Sequence, residues 1–131
     1  MLRVFIADDH PLYRRVLSAF LESEGDFEIA GEAGDGETAL AVLEKLAVDV
    51  VTFDISMPGP PIGKLIRAAR RLKKGLPIVV VTMLEHDRYR QEAIDAGASG
   101  FVLKKNASTE LAGVLRKACE KPAGPGGGSK E

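Results

Sequence analysis

Val48-Asp49-Val50-Val51-Thr52-Phe53-Asp54 is an apolar run that stops on a carboxylate, and three other runs in the 131-residue chain also stop on polar residues. Leu2-Arg3-Val4-Phe5-Ile6-Ala7 ends in Asp8-Asp9, Pro77-Ile78-Val79-Val80-Val81 in Thr82, and Gly100-Phe101-Val102-Leu103 in Lys104. Short runs rich in β-branched residues read as strands, and all-apolar ones such as Val79-Val80-Val81 suit strands buried on both faces. If the four are parallel strands of one sheet, three carboxylates, a hydroxyl and an ammonium meet at one edge. Folding alone does not require such an edge. It suits a divalent cation and a phosphoryl group.

Helix-period stretches separate the strands. Pro11 to Ser23 places Leu12, Val16, Phe20, Leu17 and Leu21 on one broad face, with Asp9 read as the N-cap and Pro11 tolerated in the first turn. Phe27 to Ala33 is a weaker strand, and Gly34-Asp35-Gly36 turns into a helix from Glu37 to Leu46. Strand 48–53 leads through a Pro/Gly loop, Pro58 to Pro61, to a basic amphipathic helix from about Ile62 to Lys73. Strand 77–82, helix 87–96, strand 100–103 and helix 108–119 complete five strand-then-helix repeats. Such alternation predicts an α/β fold in three layers, a parallel sheet with helices on both faces. Ligand sites in such sheets lie beyond the carboxyl ends of the strands. Lys121-Pro122-Ala123-Gly124-Pro125-Gly126-Gly127-Gly128-Ser129 reads as a flexible linker or tail. The expected division is a folded domain over 1–119 and a linker over 120–131, with no folded output domain after it.

The bulk numbers exclude several classes. A net charge of −1 with 28% charged residues gives no global attraction to nucleic acid or anionic membrane. No apolar run approaches the roughly 20 residues that span a bilayer, and a cytoplasmic location is expected. The lone Cys119 excludes an internal disulfide and a cysteine zinc site, and His10 and His86 are isolated. His10 reads as a local loop residue and His86 as lying near a helix start. Gly59-Pro60-Pro61-Ile62-Gly63-Lys64 is too short for a phosphate loop, lacks the following Ser/Thr, and its prolines remove amide donors. Gly31, Gly34 and Gly36 run in the reverse spacing of a dinucleotide fingerprint. The run Arg67, Arg70, Arg71, Lys73, Lys74 has no interleaved aromatics and reads as a solvated helix face.

Asp8, Asp9 and Asp54 carry the chemistry. Like-charged carboxylates sharing an edge repel one another. A hard dication relieves this, and Mg²⁺ takes few protein ligands, keeps waters and accepts phosphate oxygens. Thr82 offers a hydrogen bond and Lys104 a charged donor to phosphoryl oxygens.

On these residues the chain resembles a response-regulator receiver domain of two-component signalling over about residues 1–119. Asp8-Asp9-His10-Pro11, Asp54-Ile55-Ser56-Met57-Pro58, Thr82-Met83, and Ala96-Gly97-Ala98-Ser99-Gly100-Phe101 with Leu103-Lys104 are similar to the LuxR-type (NarL/FixJ) branch. The resemblance implies a flavodoxin-like (βα)5 fold with strand order 2-1-3-4-5. It also implies Mg²⁺-dependent transfer of a phosphoryl group to Asp54 from a sensor histidine kinase or phosphotransfer protein. Asp8, Asp9, Asp54 and the Ser56 backbone carbonyl would surround the metal, Thr82 and Lys104 would hold the phosphoryl oxygens, and Phe101 would act as a switch. The implied output is transcriptional: a homodimer formed on phosphorylation, through helices one and five or the strand-four to helix-five region. DNA would be reached only through a C-terminal helix-turn-helix outside this chain. The implied role is a switch with self-catalysed phosphotransfer and autodephosphorylation, not a turnover enzyme. Alternatives are a stand-alone or degenerate receiver acting by protein contact, and a small metal-dependent phosphatase, which Ser56 in place of a second Asp disfavours.

Two features depart from the family. The glycine usual eight residues after the phosphoacceptor is Ile62 here, with Gly63 one later, so the Pro60–Gly63 loop is expected to reshape the site rim. Lys104 is followed by Lys105 and not by Pro, which leaves the isomer of that peptide open.

Overall fold

The computed structural model describes residues 1–120; the expected linker from Lys121 onward lies outside the described residues. In chain order the elements are β1 (Leu2–Ala7), α1 (Pro11–Ser23), β2 (Phe27–Ala33), α2 (Gly36–Leu43), β3 (Val50–Phe53), α3 (Ile62–Leu72), β4 (Ile78–Thr82), α4 (Asp87–Ala96), β5 (Gly100–Leu103) and α5 (Ala107–Glu120). A single 3₁₀ turn, Lys104–Asn106, joins β5 to α5. The five strands form one sheet in the order β2-β1-β3-β4-β5, every pair parallel, as expected.

Alternation along the strands builds two core layers. Val4 and Ile6 join Leu17, Leu21, Phe27, Leu111 and Leu115 under α1 and α5. Phe5 and Ala7 join Phe53, Leu43, Leu65 and Ile66 under α2, α3 and α4. β3 and β4 are buried along their whole length, which explains their unbroken Val/Ile/Thr/Phe composition.

Several boundaries differ from the sequence expectation. β3 begins at Val50, because Asp49 spends its side chain and amide on Arg3: Arg3 N donates to Asp49 Oδ2 (2.7 Å) and Asp49 N to Arg3 O (2.8 Å). α2 closes at Leu43, where Lys45 N turns back to Val42 O (3.0 Å) in a tighter bonding pattern. Its start is fixed by Asp35, whose Oδ1 accepts from Thr38 N at 2.7 Å. The N-cap of α1 is His10, not Asp9, and its side chain makes no capping bond. The turn is held instead by Asp8, whose Oδ1 accepts from His10 N (2.9 Å). The broad apolar face read for α1 is also split. Leu17 and Leu21 are buried, whereas Leu12 and Val16 are 72% and 58% exposed.

Charge is segregated across this sheet. Residues 1–60 carry 12 Asp and Glu against 4 Lys and Arg, while residues 61–120 carry 12 Lys and Arg against 6 Asp and Glu. The first set builds the β2-β1 side, the second the β4-β5 side. The basic run of α3 is more than a solvated face: Arg70 Nη1 donates to Gly97 O and ties α3 to the end of α4. Arg67, Arg70, Arg71, Lys74, Arg90 and Lys117 line one open groove beside β5. Among the described residues none of these six lies within 4 Å of a carboxylate oxygen.

Candidate functional site

The carboxyl ends of β1 and β3 lie side by side, with Ala7 opposite Phe53 in the ladder. The next residue of each strand is therefore delivered to the same place. Backbone bonds lock both ends: Asp8 N donates to Ala33 O (2.9 Å) and Asp54 N to Ala7 O (3.1 Å). Asp8 and Asp54 are each only 2% exposed. Carboxylate oxygens of Asp8, Asp9 and Asp54 and a ring nitrogen of His10 all lie within 4.8 Å of one another. Three carboxylates at that spacing need positive charge nearby.

Lys104 supplies part of it. Its Nζ lies 2.7 Å from Asp8 Oδ2 and 3.1 Å from Asp54 Oδ2, and the side chain is only 9% exposed. Burial alone pulls the ammonium pKa down. The ammonium's close contact with the Asp8 carboxylate and the charges of Asp54 and Asp8 outweigh it, so the group is held above its ordinary value. Ser56 completes the polar surround of Asp54: its amide donates to Oδ1 (3.3 Å) and its hydroxyl to Oδ2 (3.2 Å).

A hard dication fits this donor set. Asp9 Oδ1 is buried without a hydrogen-bond partner; it lies 3.0 Å from His10 Nδ1, though not in hydrogen-bonding alignment. An under-donated carboxylate oxygen beside two further buried carboxylates is the donor chemistry that Mg²⁺ prefers.

Thr82 is fully buried at the end of β4, paired with Leu103, and its Oγ1 accepts from Leu84 N (3.2 Å). That pairing sets Thr82 beside the residue preceding Lys104. Phe101 stands apart from the carboxylates: it is half-buried against the α3–α4 core, with the Arg90 guanidinium 5.5 Å from its ring centroid. The peptide after Lys104 is trans.

Two participants lie outside the residue set expected from sequence. His10 is a rim residue, its Nδ1 3.2 Å from Asp8 Oδ1 and 3.0 Å from Asp9 Oδ1. Tyr13 lays its ring on Lys104, with Nζ 4.3 Å from the centroid. The signal for Tyr13 was in its spacing. It stands four residues before Leu17 and eight before Leu21, so it prolongs the buried stripe of α1 to the strand ends. His86 is the N-cap of α4, its Nδ1 accepting from Arg88 N (3.2 Å), in keeping with its expected place at a helix start.

Residues 4–116 match the family model of the response regulator receiver domain. The transcriptional regulatory protein DesR of Bacillus subtilis is 36% identical over 117 residues, covering 88% of this chain and 57% of that protein. The chain spans about half the length of the curated relatives it matches. Among solved structures, the receiver domain of the response regulator NarL from Mycobacterium tuberculosis superposes with a TM-score of 0.82 at 28% identity. That match covers 91% of this chain and 96% of that one. The isolated receiver domain of RcsB from Salmonella enterica serovar Typhimurium, in the presence of the phosphomimetic BeF3−, gives 0.84 at 30%, covering 96% and 94%. No helix among the described residues is long and apolar enough to cross a membrane.

Proposed function

The chain belongs to the response-regulator receiver family of two-component signalling, and from that premise we propose that Asp54 is its phosphoryl acceptor and the chain its regulator's switch. The observation that carries this reading is the Lys104 ammonium bridging Asp8 and Asp54 at the ends of β1 and β3. An Asp54 oxygen attacks the phosphorus of a phosphohistidine on a sensor kinase or phosphotransfer protein. The new O–P bond forms as the P–N bond breaks, and the imidazole nitrogen leaves with the electron pair. Lys104 follows the new charge onto a phosphoryl oxygen, and the Thr82 hydroxyl turns from Leu84 to donate to another. Asp8, Asp9, Asp54 and the Ser56 carbonyl would hold Mg²⁺, which when bound neutralises charge on the transferring oxygens. Movement of Thr82 and Phe101 passes the change to the β4–α5 face.

Domain 1–119, followed by a linker, is the regulatory part of a transcription factor in this reading, and DNA is contacted by a further domain. The role is a switch with autodephosphorylation, acting in the cytoplasm. The exposed Leu12 and Val16 on α1 support a homodimer through that helix.

The test is intact-mass measurement after treatment with a small acyl-phosphate donor. One added phosphoryl group is expected, dependent on Mg²⁺ and absent in Asp54→Asn. No adduct on a folded, Mg²⁺-binding chain would leave the contact-only reading.

A further inference from the structure

The third donor of Lys104 identifies a residue that the receiver reading does not use. An ammonium carries three N–H groups. Nζ donates to Asp54 Oδ2 at 3.1 Å and is ion-paired with Asp8 Oδ2 at 2.7 Å. The remaining neighbour is the face of Tyr13, with its centroid 4.3 Å from Nζ. A cation this close to an aromatic face is attracted by the ring quadrupole, more strongly where water is excluded. The lysine side chain here is 9% exposed.

We propose that Tyr13 is a positioning residue for Lys104: its ring occupies the third direction of the ammonium and holds Nζ over the Asp8–Asp54 pair, ready for a phosphoryl oxygen. The proposal rests on the reading of Asp54 as phosphoryl acceptor. A free lysine samples many rotamers, so an untethered side chain has to be collected in each transfer event. The ring removes that freedom without adding negative charge. A third carboxylate in its place would repel the incoming phosphoryl oxygens and compete for the lysine. A ring does neither, and its bulk closes that side of the ammonium to water.

The hydroxyl of Tyr13 separates this role from ordinary hydrogen bonding. Tyr13 Oη is buried with no hydrogen-bond partner. The useful part of the side chain is therefore the ring, and phenylalanine should serve as well as tyrosine.

The experiment compares the wild type, Tyr13→Phe and Tyr13→Leu. Its two readouts are the rate of Mg²⁺-dependent phosphorylation by a small acyl phosphate, and the NMR shift of the Lys104 ε-methylene protons. Tyr13→Phe is expected to phosphorylate within about twofold of wild type and to keep the upfield ring-current shift. Tyr13→Leu is expected to lose that shift and to phosphorylate roughly 3- to 30-fold more slowly, the range that a contact of this type spans. An unchanged rate in Tyr13→Leu overturns the proposal, as does a Tyr13→Phe rate as low as that of Tyr13→Leu. If the wild type accepts no phosphoryl group, the receiver reading of Asp54 fails by itself. The ε-methylene shift then decides the contact: present in wild type and Tyr13→Phe but not in Tyr13→Leu, it upholds the ring's hold on Lys104, and absent in wild type it overturns it. Tyr13→Phe, which conserves the ring volume, keeps both readouts available if Tyr13→Leu is poorly folded.

Discussion

Gly59 and Gly36 meet backbone to backbone: a β-carbon on Gly59 would lie 3.1 Å from the Gly36 nitrogen and 3.3 Å from its α-carbon. Gly59 also has φ +119°, a region that L-residues rarely adopt, and Gly36 N donates to Pro58 O at 2.9 Å. The loop after Asp54 is thereby fastened to the first turn of α2. Gly59→Ala should destabilise the fold by at least the roughly 1–3 kcal/mol of a forced backbone conformation. Gly63 is the control. A β-carbon there meets only the far ends of Arg67 and Glu92, at 3.1 and 3.3 Å. Both can move, and Ala gains up to about 1 kcal/mol over Gly in a helix. Urea denaturation should rank Gly63→Ala at or above wild type and Gly59→Ala well below it; the opposite order would mean that the loop is not held as described.

Lys104→Met removes the cation from a carboxylate cluster. Loss of one partner of a buried pair costs about 3–5 kcal/mol, and both carboxylates that Lys104 pairs with are nearly fully buried. The variant should melt several degrees lower than wild type in metal-free buffer. Added Mg²⁺ should raise its melting temperature more than it raises that of wild type, since a dication restores the missing charge. Equal Mg²⁺ shifts in the two proteins would contradict this account of Lys104.

The pH dependence of stability has two limbs. On the alkaline side, Lys104 is raised: burial lowers its pKa, but Asp8 and Asp54 more than compensate. Tyr13 is raised by its own burial, against the pull of Lys104. Both groups bind their proton more tightly in the folded chain. Their contributions are complete below the unfolded values near 10 and are lost as pH climbs through the folded ones. On the acid side, Asp26 is lowered by its hydrogen bond from Arg116, and Asp35 by that from the Thr38 amide. Those contributions are complete above the unfolded value near 3.9 and are lost as pH falls through the folded ones. Denaturation midpoints across pH should form a plateau between about 5 and 9, with Asp35→Asn shallower on the acid limb alone. Stability that keeps rising above pH 10 would refute the Lys104 and Tyr13 assignments.

Leu12 and Val16 cost the monomer little if made polar, because neither joins the buried core. Val16→Lys should change the unfolding free energy by no more than about 0.5 kcal/mol. It should also abolish any dimer that forms after phosphorylation, read by sedimentation velocity. A phosphorylated Val16→Lys that still dimerises would move the interface off α1.

Much of this was legible in the chain. The apolar runs ending in Asp8, Asp54, Thr82 and Lys104 pointed to the parallel sheet and its carboxyl edge, because unbroken apolar runs such as those of β3 and β4 suit strands covered on both faces, with their polar residues at one end. What could not be read was contact across elements. The Lys104–Asp8–Asp54 bridge joins residues 50 and more positions apart, and only the ladder register fixes it. The α1 stripe was misread for a related reason. Leu12 and Val16 form an i, i+4 pair of their own, roughly 140° around the helix from the Leu17–Leu21 pair, so only one of the two stripes can face the sheet. Asp9 failed as an N-cap because Pro11 keeps His10 in an extended conformation, so the helix opens at Pro11 and His10 takes the cap position.

The opposed acidic and basic halves give the molecule an electric moment running across the sheet, from the β2-β1 side to the β4-β5 side. β3 is the middle strand, so Asp54 lies near the neutral line between the two poles. A phosphoryl group adds about −1.5 to −2 charges at neutral pH, and placed there it changes the monopole while hardly turning the moment. Beyond the roughly 10 Å Debye length of 0.1 M salt, an approaching macromolecule therefore feels nearly the same torque from either form. Long-range orientation does not tell the two forms apart; the added charge and the shape presented at contact do.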